Sequence, residues 1–454
     1  MIDILLYVVS FIVAIGVLIV VHEFGHYWVA RRLGIKVLRF SVGFGKALWK
    51  RRVGRDQTEI VIAAIPLGGY VKMLDETEGD VPERERHRAF NRQPVWKRIA
   101  VVVAGPMFNL LFAILAYWFI FVTGVEGIKP VVGQVLEGSV AQQAGFRPGD
   151  EIIAMDGKPV LTWDQRRLYL FQRALDRKHV QVDVRDPDGR EQTRVLDLSR
   201  FSGKDIGASL IERGIGLIGY FPEVLPVIGK LDEGPAMRAG LEVGDRIRMI
   251  DKTPVSSWEE IVKVISASAG KSIHLEVERA GASREFDVVP DAVTDGERSI
   301  GRINIRPQFA EFPASMRTTM RMSFGTALGE SVSECWGMSW LTLEMLYRMV
   351  LLEVSTKTLS GPLTIAQYAG VSAKIGFNHF IMFLAVISIS LAVLNLLPVP
   401  VLDGGHLLYY VIEAIKGKPL SMRVMEAGQR VGVVLLAALM ILALYNDITR
   451  IFRW

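Results

Sequence analysis

The 454-residue chain has a single cysteine, Cys335, which excludes an intramolecular disulfide and any zinc site built on cysteine sulfur. It also lacks a Gly-x-Ser-x-Gly or related context, so a serine nucleophile has no evident carrier. Charge is missing from four stretches: no Asp, Glu, Lys or Arg stands between Asp3 and His22, between Arg98 and Glu126, between His379 and Asp403, or between Arg430 and Asp447. The first three reach or approach the roughly 20 apolar residues that cross a bilayer core. The fourth is shorter, with Tyr445 and Trp454 as interfacial anchors. Four spans are predicted. A removable leader begins with basic residues, whereas the only charge ahead of the first run is Asp3, so that run is expected to be retained.

What charge there is has a pattern. Residues 29–99 carry sixteen Lys and Arg against eight Asp and Glu, which assigns this region to the cytoplasm by the positive-inside rule and the N-terminus to the outside. Alternation then sends residues from about 126 to the third span outside and returns the segment from Glu413 to Arg430 to the cytoplasm. That segment carries four basic residues, Lys416, Lys418, Arg423 and Arg430, in agreement. The net charge of +5 is concentrated beside the spans, which favours a lipid bilayer as partner and argues against nucleic acid.

The outer region contains an internal repeat. Residues 132–163 match residues 227–258 at constant offset, pairing Gly145 with Gly240, Gly149 with Gly244, Asp150 with Asp245, Asp156 with Asp251 and Trp163 with Trp258. Each copy reads as a strand, a short helix closed by Ala-Gly, a Gly-Asp turn, an alternating strand and a turn before Pro-Val. The pattern resembles PDZ domains of the bacterial protease type, which implies α+β modules that add a peptide as a strand to a sheet edge. Peptide binding and steric filtering over a membrane site both remain open for them.

At the end of the first apolar run stands His22-Glu23-Phe24-Gly25-His26. On a helix the two histidines lie one turn apart on one face, where both imidazoles can reach one Zn²⁺ with Glu23 beside the open position that water enters. Ionisable groups at membrane depth are costly and point to function. A catalytic zinc takes three protein ligands. The candidate for the third is Asp403, which follows the third apolar run and so arrives at the same depth as the first motif; His406 is its competitor, and His87 and His379 lie far from both motifs. Pro398 and Pro400 break the helix before Asp403, and the freed backbone groups need protein or a water-filled cavity around them.

HExxH in a first span, Asn-x-x-Pro-x-Pro-x-Leu-Asp-Gly over residues 395–404 and PDZ modules between them together resemble the site-2 protease family of intramembrane metalloproteases. The likeness runs from the N-terminus to the last span, and the two-PDZ, four-span layout is closest to the sigma-E-regulating type. The resemblance implies one zinc per chain bound by His22, His26 and Asp403, with Glu23 as general base. It implies that Asn395 and Pro398 help place substrate and that Gly68, Gly69 and Tyr70 belong to a re-entrant β element pairing with it. Substrates would be pre-trimmed single-span proteins of anti-sigma-factor type and remnant signal peptides. The location would be the bacterial inner membrane, with periplasmic PDZ domains and an active site toward the cytoplasm. Some relatives carry a second asparagine where this chain has Ser388 and Ser390.

The expected fold is thus a polytopic α-helical membrane protein, four transmembrane helices with a re-entrant β element, plus two tandem α+β PDZ domains. Its plan is 1–28 first span, 29–99 cytoplasmic and re-entrant β region, 100–125 second span, 126–222 and 223–310 PDZ domains, 311–378 amphipathic outer helices, 379–412 third span with the LDG motif, 413–430 cytoplasmic loop and 431–454 fourth span. Asn109, at the start of the second span, is expected to hydrogen-bond toward the core or a neighbouring helix. A non-enzymatic PDZ scaffold with a structural metal is the alternative, disfavoured because Glu23 then has no task and a structural zinc wants a fourth protein ligand. A metal transporter would want more polar residues along the spans.

Overall fold

The computed structural model describes residues 2–77, 79–163, 165, 167–176, 178–201, 210–295, 298–354 and 359–452. Four helices in it are long and apolar enough to cross a membrane: Ile4–Arg32, Val95–Thr123, Phe377–Leu396 and Met422–Arg450. Large apolar side chains stand exposed along the first (Ile4, Leu5, Val8, Val9) and the fourth (Val431, Val434, Ile441), faces that acyl chains can cover and water cannot. This is a membrane protein.

The second span is the hub, packing on the first and third spans and on a helix spanning Phe324–Val350. Helices in lipid gain no hydrophobic term by meeting and rely on close van der Waals approach, which small residues permit. Ala113 and Ala116 accordingly meet Ala385, Ile389 and Val393 of the third span in one buried cluster. First and second spans approach closely at Gly25, where a Cβ would sit 2.5 Å from the Ala104 carbonyl oxygen.

Between these two spans Val37–Val53 pairs with Thr58–Met73. Both strands are long and bent: Phe40, Ser41 and Val42 pair with Val71, Tyr70 and Gly69 on one side and with Ile60, Val61 and Ile62 on the other. Residues 69–71 therefore form an edge of this small sheet. Glu59 ties it together, accepting from Arg39 and Arg52.

The offset repeat reappears as matched backbone. Gly145 and Gly240 (φ 83° and 89°), Gly149 and Gly244 (90° and 97°), and Asp156 and Asp251 (46° and 47°) share left-handed conformations copy by copy. Asp150 and Asp245 are both fully buried, and each receives an arginine, Arg194 and Arg279. The first copy builds a sheet in the order Lys158–Pro159, Glu151–Met155, His179–Arg185, Glu191–Asp197. The second runs Ala282–Val288, Ile273–Arg279, Arg246–Ile250, Val224–Leu231, Ile305–Phe309. Each sheet has its own apolar core.

The segment carrying Asp403 is broken in two. The third span stops at Leu396, residues 397–402 turn, and a new helix runs Asp403–Lys416. Prolines 398 and 400 supply no backbone N–H to continue the first helix, as their positions suggest. The fourth helix begins at Met422, so the connection is only residues 417–421 and Arg423 and Arg430 ride on the helix. The expected 413–430 loop is shorter because a helix extends past the apolar stretch that charge counting detects.

Asp447, buried near the end of the fourth span, caps the helix Pro362–Ile375: its carboxylate accepts from the amides of Gly361 (2.9 Å), Leu363 (2.9 Å) and Thr364 (3.1 Å) and from the Thr364 hydroxyl (2.5 Å). A carboxylate on four donors at a helix N-terminus satisfies orphan amides and the helix dipole together. Asp447→Ala should therefore speed hydrogen exchange at Leu363 and Thr364 by about 10- to 100-fold, with Asp447→Asn between it and wild type. Unchanged exchange in the alanine variant would remove the capping role.

Candidate metal centre

His22, Glu23 and His26 lie in the last third of the first span. The imidazoles of His22 and His26 meet edge to face with centroids 4.9 Å apart, as i and i+4 positions on a helix allow. Asp403 comes to them as the first residue of its helix, with its carboxylate at the positive end of that helix. The turn that delivers it is tight. A Cβ at Gly404 would strike the Leu397 carbonyl oxygen and one at Gly405 would lie 2.6 Å from Pro400 Cα, so both must be glycine. Val401, two residues upstream, is β-branched with φ 102°, a strained conformation next to the site.

Three atoms converge. His22 Nε2 is 3.1 Å from Asp403 Oδ2, His26 Nε2 is 3.5 Å from the same oxygen, and the two nitrogens are 3.3 Å apart. A tetrahedron with zinc–ligand bonds of 2.0–2.1 Å has edges of about 3.3–3.4 Å. Asp403 Oδ2 is buried without a hydrogen-bond donor. An orphaned carboxylate oxygen costs free energy in a protein interior, and a divalent cation between the three lone pairs relieves it. The triangle fits zinc in size and donor chemistry.

The histidines are oriented from behind. His26 Nδ1 sits 2.8 Å from the Val101 carbonyl oxygen, so it donates there and leaves its Nε2 lone pair facing inward. His22 Nδ1 sits 3.3 Å from the Asn109 amide nitrogen. The second span also shapes the floor: a Cβ at Gly105 would collide with His26 Nε2 and lie 2.8 Å from His22 Cε1. Only a residue without a side chain leaves room.

The β hairpin reaches the same place. A Cβ at Gly69 would come within 3.0 Å of Glu23 Cγ and 2.8 Å of Ile19 Cγ2, so this sheet edge lies against the face that carries Glu23. Gly68, at φ 125°, leaves space for the Phe44 ring, which stacks on Tyr70, and the Tyr70 hydroxyl accepts from Arg39. Of the hairpin trio, then, Gly69 is beside Glu23, while Tyr70 is engaged within the hairpin. Asn395 is half-buried one residue before the end of the third span, and Pro398 is exposed in the turn. His406 is half-buried against Tyr409. Among the described residues, the group able to hold a metal is His22, His26 and Asp403, without His406. Sequence reasoning missed Gly105 and Val101, whose only signal was position in the second span.

Apolar spans gathered around a His-His-Asp triangle with a glutamate alongside define a membrane-embedded metallopeptidase. The family model described as peptidase family M50 matches residues 10–439. The chain is 42% identical over 453 residues to the regulator of sigma-E protease RseP of Salmonella typhimurium, covering 99% of this chain and 100% of the relative. Escherichia coli has a protein of the same description, 42% identical over 445 residues with 97% and 98% covered. Among solved structures, the PDZ domain of an SdrC-like protein from Listeria monocytogenes is similar over 20% of this chain and 90% of that one, at 22% identity and TM-score 0.16. The chain belongs to peptidase family M50 and is a zinc metalloprotease.

Proposed function

We propose that this protease hydrolyses a peptide bond within the transmembrane segment of a pre-trimmed single-span protein, of anti-sigma-factor type in envelope stress signalling or a remnant signal peptide. One zinc per chain is held by His22, His26 and Asp403. The observation that carries this reading is the triangle of 3.1, 3.3 and 3.5 Å edges beside Glu23 on an apolar helix. Bound zinc supplies a Lewis acid that polarises the scissile carbonyl and acidifies water at neutral pH.

The chain's own residues do the rest. Glu23 takes the proton of the attacking water and returns it to the leaving amine. A helical substrate hides its carbonyls in its own hydrogen bonds, so it must unwind and be held extended. The sheet edge at Gly69, with Gly68 and Tyr70 beside it in a re-entrant β element, offers the backbone partners for such a strand, and Asn395 and Pro398 bound the other side. The matched modules within 126–222 and 223–310 are tandem PDZ domains on the periplasmic face, and the active site lies toward the cytoplasmic face of the inner membrane.

The test is cleavage of a single-span anti-sigma-type substrate by purified protein in detergent. A zinc chelator should lower the rate by at least about 100-fold, and added zinc should restore it. Tightly bound zinc with no cleavage of several such substrates would overturn the proposal in favour of a scaffold with a structural metal.

A further inference from the structure

The two histidines of the triangle are oriented by different means. His26 donates through Nδ1 to a backbone carbonyl, that of Val101. Behind His22 stands the side chain of Asn109, fully buried on the second span, with its amide nitrogen 3.3 Å from His22 Nδ1 and its Oδ1 buried without a partner. Ser388 of the third span donates to the Asn109 backbone carbonyl at 2.8 Å, fixing this residue where two spans meet.

That arrangement suits a ring that carries its proton on Nε2 and donates to Asp403, not one that binds a metal through Nε2. His22 Nε2 faces Asp403 Oδ2 and His26 Nε2, so when a metal takes the Nε2 lone pair the proton of the neutral ring must sit on Nδ1. A protonated Nδ1 facing an amide NH₂ sets donor against donor, while the carbonyl oxygen of the same amide finds no donor at all. Amide nitrogen and oxygen are alike in size, and half a turn about the last side-chain bond exchanges them. The exchange removes the donor–donor contact and gives Oδ1 the partner it lacks. It leaves an N–H where the orphaned oxygen stood, so the number of unpaired buried atoms does not rise.

We propose that Asn109 is a positioning residue for the metal centre: its side-chain carbonyl accepts the Nδ1–H of His22 and holds that imidazole with its Nε2 lone pair toward His26 and Asp403. This rests on the zinc reading above and deepens it. The triangle is oriented on one side by backbone and on the other by a single replaceable side chain.

Two readouts that need no substrate test it, on full-length protein in detergent: zinc affinity by competition with a chelator, and ¹H–¹⁵N imidazole spectra of zinc-loaded protein, which report whether the His22 Nδ1–H is hydrogen-bonded and protected from solvent exchange. Asn109→Leu keeps the shape and removes the acceptor; Asn109→Asp keeps the acceptor and removes the donor. The leucine variant should bind zinc about 10- to 100-fold more weakly and, when zinc-saturated, lose the exchange protection of the His22 Nδ1–H. The aspartate variant should keep both. Zinc binding within about twofold of wild type in the leucine variant, or an unprotected, freely exchanging His22 Nδ1–H in the zinc-loaded aspartate variant, would overturn the proposal. Should the leucine variant not fold, the aspartate spectrum decides alone. A wild-type protein that binds no zinc would instead sink the metal reading itself.

Discussion

Glu23→Gln should leave one zinc per chain in place and lower peptide-bond cleavage by about 10²- to 10⁴-fold, the range general-base removal produces. Glutamine has the same shape and fits the same space against Gly69, so the first span and the hairpin edge need not move. It has lost the ability to take a proton. Because Glu23 is outside the triangle formed by His22, His26 and Asp403, the donor set for zinc is unchanged. The measurement is zinc content together with kcat on a single-span substrate. A variant that retains zinc and still cuts at the wild-type rate would remove Glu23 from the chemistry. One that loses zinc would make it part of the metal site.

Gly105→Ala should weaken the metal centre through a single methyl group. That methyl would collide with His26 Nε2 and press on His22 Cε1, the faces of both rings that turn toward the metal. Its helix cannot back away, since Val101 accepts from His26 and Ala104 already lies against Gly25. Overpacking of this kind costs about 1–3 kcal/mol. Displaced ligands convert that into zinc affinity weakened by about 5- to 150-fold, with cleavage falling in parallel when zinc is limiting. Gly16→Ala on the first span is the control, because a Cβ there meets nothing within 4 Å, and it should bind zinc as wild type does. If Gly105→Ala bound zinc equally well, the close approach of the second span would not shape the site.

These two positions also mark what the sequence made legible. His22, Glu23 and His26 announce themselves because their spacing is local and the charge-free run around them makes them conspicuous. Asp403 could be found because topology brings the first and third runs to one depth. The repeat could be aligned because its turns demand the same residues twice, and the left-handed Asp156 and Asp251 record that demand. Gly105 could not be found this way. Its importance is a distance to a helix some eighty residues earlier, and no local pattern encodes that. The same holds for Val101, whose contribution is a backbone carbonyl any residue would supply, and for Asp447, whose partners lie more than eighty residues back. Helix ends were read from charge, and the fourth helix runs past its charge-free stretch at the start because hydrogen bonding, not apolarity, ends a helix.

The Asp447 cap has a consequence for biosynthesis. A chain made from its N-terminus presents the helix Pro362–Ile375 to the insertion machinery before the span that caps it exists. During that interval the Gly361, Leu363 and Thr364 amides lack this acceptor, while the helix packs on the first and third spans. Insertion of the fourth span carries a carboxylate that is costly in lipid and becomes acceptable only on finding those amides. Cap and span thus validate one another late in assembly, and nascent chains halted ahead of Asp447 present an unfinished surface that membrane quality control can recognise.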